Sequence, residues 1–152
     1  MKENLKALTI LLRASRSVEK VLRQDIATYD LNPSEFGVLE YLYHKGSQPM
    51  ANLSQRLLMA NSSMTYVVDN LVDAGMVERF ENSEDKRSLF VKLTSKGENY
   101  IKLVFPSHEA KIDEIFSQLT LEEVVNLSQP LKKIGIYSEQ LASKKSRQKA
   151  SE

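Results

Sequence analysis

At 152 residues, 41% of them hydrophobic, the chain is long enough for one domain with a buried core and too short for two independent ones. A formal net charge of +1 neither points to a nucleic acid nor excludes one, because net charge informs solubility and association more than fold. The absence of cysteine excludes disulfides, thiolate catalysis, thiol-based redox sensing and sulfur-ligated metals. No apolar run approaches the roughly 20 residues of a membrane span, and the N-terminus lacks the basic-then-apolar order of a signal peptide. A cytoplasmic protein without a membrane partner is expected.

Residues 3–29 predict one long amphipathic helix, with Leu5, Leu8, Leu12, Ser15, Leu22 and Ile26 close to a heptad-like stripe. Arg13, Arg16, Lys20 and Arg23 fall on its more polar side, where a solvated cationic face is the plain reading. For Arg16 a second reading stands beside it, a guanidinium near a cleft that pairs with an acidic or phenolic small molecule. Asn32-Pro33-Ser34-Glu35 has the parts of a helix start: Asn32 as cap, Pro33 at the first helical position and Glu35 at the third. Phe36, Leu39, Leu42 and Tyr43 give that helix an apolar face, and Lys45-Gly46 ends it. His44, near its C-terminus, fits the helix dipole better than a metal. Ser47-Gln48-Pro49 reads as a short connector or minor strand.

Leu53, Leu57 and Leu58 recur at helical spacing, and Met64, Val67, Val68 and Leu71 repeat that spacing after a short polar break, so two short helices joined by a tight turn are predicted. Asn61, Ser62 and Ser63 offer capping oxygens to the second helix, Thr65 and Tyr66 project from its first turns, and Gly75 suits the left-handed position that ends it. Alternation through Val77, Arg79 and Glu81, and again through Leu89, Val91 and Leu93, predicts two strands around the turn Asn82-Ser83-Glu84-Asp85-Lys86.

Thr94 then caps a helix that runs toward Leu119 with Ile101, Phe105, His108, Ile112 and Ile115 on one stripe, and Pro106 is expected to kink it. Thr120-Leu121-Glu122-Glu123 is a capping box for a last helix carrying Val124, Leu127, Leu131, Ile134 and Leu141, with Pro130 as a second interior proline. From Ser143 the chain is basic and poor in apolar residues, which reads as a disordered tail.

The order helix, helix, hairpin, with Asp85-Lys86-Arg87 at the hairpin tip and Leu93-Thr94-Ser95-Lys96-Gly97 after it, resembles the winged helix-turn-helix of the MarR family of bacterial transcription regulators. The resemblance implies a mainly α fold with a small β-hairpin wing and long dimerisation helices at both ends. Its expected organisation is an N-terminal dimerisation helix (1–30), a DNA-binding lobe (31–97), C-terminal dimerisation helices (98–142) and a basic tail (143–152). The implied partners are a near-palindromic double-stranded operator, a second copy of the chain and a small effector, phenolic or otherwise aromatic, that releases a repressor.

On this basis Asn61, Ser62, Ser63, Thr65, Tyr66 and Asn70 on the second helix, and Lys86, Arg87 and Ser88 on the wing, are the expected DNA contacts. Arg87, stiffened by a pairing with Asp85, is expected to reach the minor groove. Many relatives carry Arg or Lys where this chain has Tyr66 and Asn70, which predicts a different operator preference. Between Leu53 and Gly97 six cations meet six acids, so affinity must come from arrangement rather than bulk charge. Arg16, Phe36, Tyr41 and Tyr43 are the expected effector residues, against the plain reading of such aromatics as core.

Two other function classes remain open at this point. A winged helix can dock a protein and never touch DNA. An enzyme has little to work with: His44 and His108 are the only histidines, and there is no nucleophile elbow or P-loop. No cofactor is expected. His108, Glu109 and Asp113 make a thin set of metal ligands, and an interface position is the preferred expectation for His108.

Overall fold

The structure is a computed structural model that describes the backbone of residues 2–149 and the side chains of residues 2–143. Six helices and three strands follow one another as α1 (Lys2–Ala27), α2 (Pro33–Lys45), β1 (Gln48–Pro49), α3 (Met50–Arg56), α4 (Asn61–Asp73), β2 (Val77–Glu81), β3 (Leu89–Leu93), α5 (Ser95–Phe116) and α6 (Leu121–Lys149). Two compact units divide at Ile112, inside α5.

In the first unit, local signals set most helix ends. The Asn32 side chain accepts from the Glu35 N–H at 2.9 Å, the Glu35 carboxylate accepts from the Asn32 N–H at 3.1 Å, and Pro33 supplies the pre-set first turn of α2. Gly46, at φ 73°, releases the chain into β1, so the connector is the minor strand after all. At the end of α4, Gly75 adopts φ 72° while its N–H reaches the Val72 carbonyl at 2.8 Å and the Met76 N–H reaches that of Leu71 at 2.9 Å. That is a Schellman stop, in which glycine avoids the Cβ penalty of the left-handed region.

Two expectations fail at the turn between α3 and α4. Leu58 does not join the apolar face with Leu53: α3 ends at Arg56, and Leu58 sits at φ 51° with 81% of its surface exposed. The turn repeats the Schellman pattern, Leu58 N–H to Gln55 and Met59 N–H to Ser54, with a leucine where glycine is the easy residue. Nor do Asn61, Ser62 and Ser63 cap α4. The N-cap is Ala60, which has no side-chain oxygen, and the three polar residues lie inside the first turn, exposed. The early closure at Met59 starts α4 sooner than its polar residues suggest.

The sheet has strand order β1-β3-β2, antiparallel throughout, with Val77 opposite Leu93, Arg79 opposite Val91 and Glu81 opposite Leu89. Val77 and Val91 turn into a core built with Phe36, Leu39, Leu42, Leu53, Met64, Val68, Leu71 and Ile101. On the other sheet face Phe80 and Phe90 pair at 5.6 Å between ring centres, with the Lys92 ammonium 5.3 Å above Phe80.

Thr94 ties α4, the sheet and α5 together. Its Oγ1 donates to the Gly75 carbonyl at 2.6 Å and accepts from the Gly97 N–H at 3.1 Å, while its own N–H donates to the Met76 carbonyl at 3.0 Å. Lys96 adds a bond from its ammonium to the Ala74 carbonyl at 2.7 Å. Gly97 is the tightest point, since a Cβ there would lie 1.9 Å from the Met76 carbonyl oxygen.

His108 departs from its expected interface role. It is 4% exposed, its Nδ1 lies 2.7 Å from the Asp25 carboxylate, and its ring is 4.4 Å from that of Phe36. The other Asp25 oxygen accepts from the Tyr29 hydroxyl at 3.0 Å, and the Tyr100 hydroxyl donates to the Tyr29 carbonyl. Among the described residues no group of His, Asp and Glu is placed to hold a metal ion. None of the helices is long and apolar enough to cross a membrane among those residues.

Pro106 interrupts the hydrogen-bond ladder of α5 without ending the helix, which stops at Phe116 rather than near Leu119. In the second unit the Thr120 capping box forms, with Glu123 N–H to Thr120 Oγ1 at 3.2 Å and Thr120 N–H to the Glu123 carboxylate at 2.8 Å. The expected tail is instead a continuation of α6: the helix passes Pro130 and extends to Lys149, and the last three residues of the expected tail lie outside the described residues.

Replacing Gly97 by alanine is expected to cost about 3 kcal/mol or more, at the upper end of overpacking penalties because backbone must move, and denaturant titration reads it directly. Burial, with help from Asp25 for Tyr29 and Asp30 for Tyr100, raises both phenol pKa values above 10.0. The unfolded chain therefore releases these protons first, so the stability they confer is complete below pH 10.0 and is lost as pH rises through the folded values. Urea midpoints measured at increasing alkalinity should fall above that pH in the parent and fall less steeply in Tyr29→Phe and Tyr100→Phe.

Candidate nucleic-acid interface

Helix α4 buries Met64, Val67, Val68 and Leu71 on one stripe, and the 3.6-residue period turns Ser62, Tyr66, Asp69 and Asp73 to the opposite side. Tyr66 is 68% exposed. Asn61 and Thr65 occupy the flank nearer the wing, and Ser63 and Asn70 the other. Because Ala60 provides no side-chain acceptor, the first-turn N–H groups of α4 have no capping side chain, which leaves the positive end of the helix dipole available to an anion. The Thr65 hydroxyl is already committed, donating to the Asn61 carbonyl at 2.9 Å.

The wing tip is ordered by Asp85, though not by the expected ion pair. Its Oδ1 accepts from the backbone N–H of Arg87 at 3.0 Å, its Oδ2 accepts from the Ser88 hydroxyl at 3.5 Å, and its carbonyl accepts from the Ser88 N–H at 3.0 Å. An Asx turn of this kind fixes backbone and leaves the guanidinium of Arg87 exposed for another partner. The Asn82 N–H to Ser88 carbonyl bond, at 3.2 Å, closes the loop beneath it.

A groove of about 540 Å³ lies between α4 and the wing, lined by Asn61, Thr65, Arg87 and Ser88 together with Pro49, Ser54, Asp69, Arg79 and Leu89. Four of the expected DNA contacts therefore converge. Ser62, Ser63 and Tyr66 are exposed on the same helix, and Lys86 is exposed at the wing tip. Asn70 stands apart: half-buried, it lines a separate cavity of about 350 Å³ with Tyr29, Asp30, Glu35, Leu71 and Tyr100.

Two groove residues were missed by sequence reasoning. The Arg79 guanidinium on β2 pairs with the Asp69 carboxylate on α4 at 2.5 Å, and the same nitrogen lies 3.3 Å from the Thr65 carbonyl. In the sequence both counted only as charges, and the hint lay in strand alternation, which puts Arg79 on the same face as the buried Val77.

The expected effector residues are scattered. Arg16 is exposed on α1, Phe36 is 1% exposed in the core, Tyr41 lies under the Arg56 guanidinium at 5.9 Å, and Tyr43 packs beside His44 and Phe105. None of the four lines either cavity described above. Phe36 serves as the apolar platform for Tyr29 and His108, so its place in the effector set is withdrawn.

Comparison with known proteins is consistent with this geometry. A family model described as MarR family matches residues 31–89. The HTH-type transcriptional regulator MhqR of Bacillus subtilis (strain 168) is 39% identical over 142 residues, which is 93% of this chain and 98% of that protein. Among solved structures, AbsC of Streptomyces coelicolor, a MarR family transcriptional regulator, is similar with a TM-score of 0.85 at 22% identity, covering 92% of this chain and 97% of its own. A mutant MarR from E. coli complexed with operator DNA has a TM-score of 0.76 at 26% identity, covering 87% and 95% respectively.

Asp85→Ala is expected to leave global stability within about 0.5 kcal/mol, as exposed positions usually do, while hydrogen exchange at the Arg87 and Ser88 amides speeds up. Unchanged exchange at both amides would mean that the wing tip is held by something other than this carboxylate.

Proposed function

Because the chain belongs to the MarR family of DNA-binding helix-turn-helix transcription regulators, we propose that it acts in the cytoplasm as a homodimeric repressor of a near-palindromic operator, released by a small aromatic effector. The observation that carries the DNA half is the groove, where the uncapped start of α4 and the unpaired Arg87 guanidinium flank one channel. In this reading α4 enters the major groove, Ser62, Ser63 and Tyr66 meet base edges, and Asn61, Thr65 and Ser88 lie along a phosphate strand. Arg87 and Lys86 reach past it, Arg87 into the neighbouring minor groove. Tyr66, with an aromatic body and one hydroxyl, favours contact with thymine methyls or a single acceptor over the bidentate guanine contact of an arginine.

The dimer half is supported by apolar side chains left uncovered. On α1 Leu5 is 65% exposed, with Leu8, Ile10 and Leu12 also open, and α6 exposes Leu127, Leu131, Ile134 and Leu141. Stripes of this length are association surfaces, and a two-fold axis would present two α4 helices to half-sites about 10 bp apart or a multiple of it. For the effector, Arg16, Tyr41 and Tyr43 remain the residues of interest. The effector has to bind the operator-incompatible arrangement more tightly than the compatible one, or it shifts nothing.

Light scattering should give twice the chain mass, and fluorescence anisotropy on duplexes selected from the host genome should give saturable binding that weakens steeply with salt. Arg87→Ala should weaken binding and lower the salt slope by about one. A monomer would sink the dimer, and binding indifferent to both salt and Arg87 would point to a protein partner in place of DNA. A panel of phenols that leaves operator affinity unchanged would remove the phenolic effector.

A further inference from the structure

We infer that Arg79 is a charge mask: its guanidinium neutralises Asp69, an acid that α4 presents to the same channel through which the DNA backbone passes. The inference rests on the DNA reading above and adds to it a residue that serves the interface without touching DNA.

Asp69 lies one turn beyond Thr65 on α4, lines the groove with Asn61, Arg87 and Ser88, and has a side chain that is 51% exposed. A bare carboxylate there would meet arriving phosphates as like charge, in a channel whose low-dielectric walls strengthen the repulsion. Arg79 reaches across from β2 and is held at two points on α4, the Asp69 carboxylate and the Thr65 carbonyl. Its side chain, 25% exposed, is the more covered of the two, and its strand face is that of the buried Val77. The guanidinium is thus directed at the helix rather than outward, as a phosphate ligand would be. The pair sums to no charge, which leaves Arg87 as the effective cation of the channel.

The geometry also admits a mere brace between wing and helix, or a phosphate ligand that happens to rest on Asp69. A double-mutant cycle separates the three. Arg79→Ala, Asp69→Asn and the combined variant are titrated by anisotropy against a duplex that the parent binds, over a range of salt, with Tm recorded for each. For a mask, Arg79→Ala weakens binding about tenfold, the scale of one uncompensated charge beside phosphates, and flattens the salt slope. Asp69→Asn alone binds as well as the parent or better. The combined variant returns to within about threefold of the parent with the parent's salt slope, and Tm moves by no more than about 4 °C throughout, as for an exposed ion pair.

A combined variant that stays as weak as Arg79→Ala, with its slope still lowered by about one, identifies Arg79 as a phosphate ligand and overturns the mask. Equal weakening by all three variants together with a large Tm loss identifies a brace and overturns it as well. If the parent itself binds no duplex, the DNA reading fails first and takes the mask with it; if the parent binds and the rescue fails, only the mask falls.

Discussion

The contact on which the lobe depends is the one between Gly97 and the Met76 carbonyl. The last turn of α4, the base of the sheet and the first turn of α5 are brought to one point by Thr94 and Lys96, which satisfy the Gly75, Met76 and Ala74 carbonyls that the end of a helix leaves open. With no Cβ at Gly97, backbone packs on backbone, and the direction of α5 relative to α4 is fixed by hydrogen bonds rather than by side-chain packing that can adjust. Reading a duplex requires a helix presented at a set angle, and this junction sets that angle from the C-terminal end.

From that fixed end, α4 points its N-terminus into the groove with the wing. There the sequence has no surplus of positive charge to spend, six cations standing against six acids from Leu53 to Gly97. What differs along the surface is how each charge is occupied. Asp85 is turned to the Arg87 amide and the Ser88 hydroxyl, Glu78 is paired with Lys92 at 2.9 Å, and Asp69 is paired with Arg79, while Arg87 has no such partner among the described ion pairs. A neutral stretch of chain can in this way present a locally positive channel, and the helix dipole at Asn61 adds to the same sign.

Signals confined to a few residues were legible in the sequence. The capping boxes at Asn32 and Thr120 and the glycine stops at Gly46 and Gly75 rest on relations one to four residues apart, the hairpin between Val77 and Leu93 on alternation within each strand around a polar turn, and each is present. Ala60 and Leu58 were not legible, because polar residues from Asn61 to Ser63 give a capping signal that begins one residue late, and propensity gives no warning of a leucine at φ 51°. Pro106 and Pro130 disfavour a helix locally, yet each lies inside one, as the apolar stripes that run through them predict. In the site, the exposed face of α4 and the wing tip were readable from periodicity. Arg79 with Asp69, ten residues apart, and His108 with Asp25, eighty-three apart, were not, since only the folded chain brings them together.

The Asp25 and His108 pair bears on how a signal at α1 would reach the groove. Asp25 accepts from Tyr29, Tyr29 accepts from Tyr100, and Phe36 of α2 packs against both the Tyr29 and His108 rings, so the C-terminal end of α1 is bonded to α5 and seated on the lobe's own core. Among the described residues every buried side-chain polar atom in this region has a partner. Apolar contacts tolerate small slides, but a buried hydrogen-bonded cluster does not, because any intermediate position strands a polar group at a cost of about 1–3 kcal/mol. The end of α1 and the stretch of α5 from Tyr100 to His108 must then move as one piece with α2 or break the cluster outright. An effector or partner copy that acts through α1 therefore either shifts this lobe as a body, with α4, fixed at Gly97 to the same α5, following it, or meets the cost of breaking the cluster.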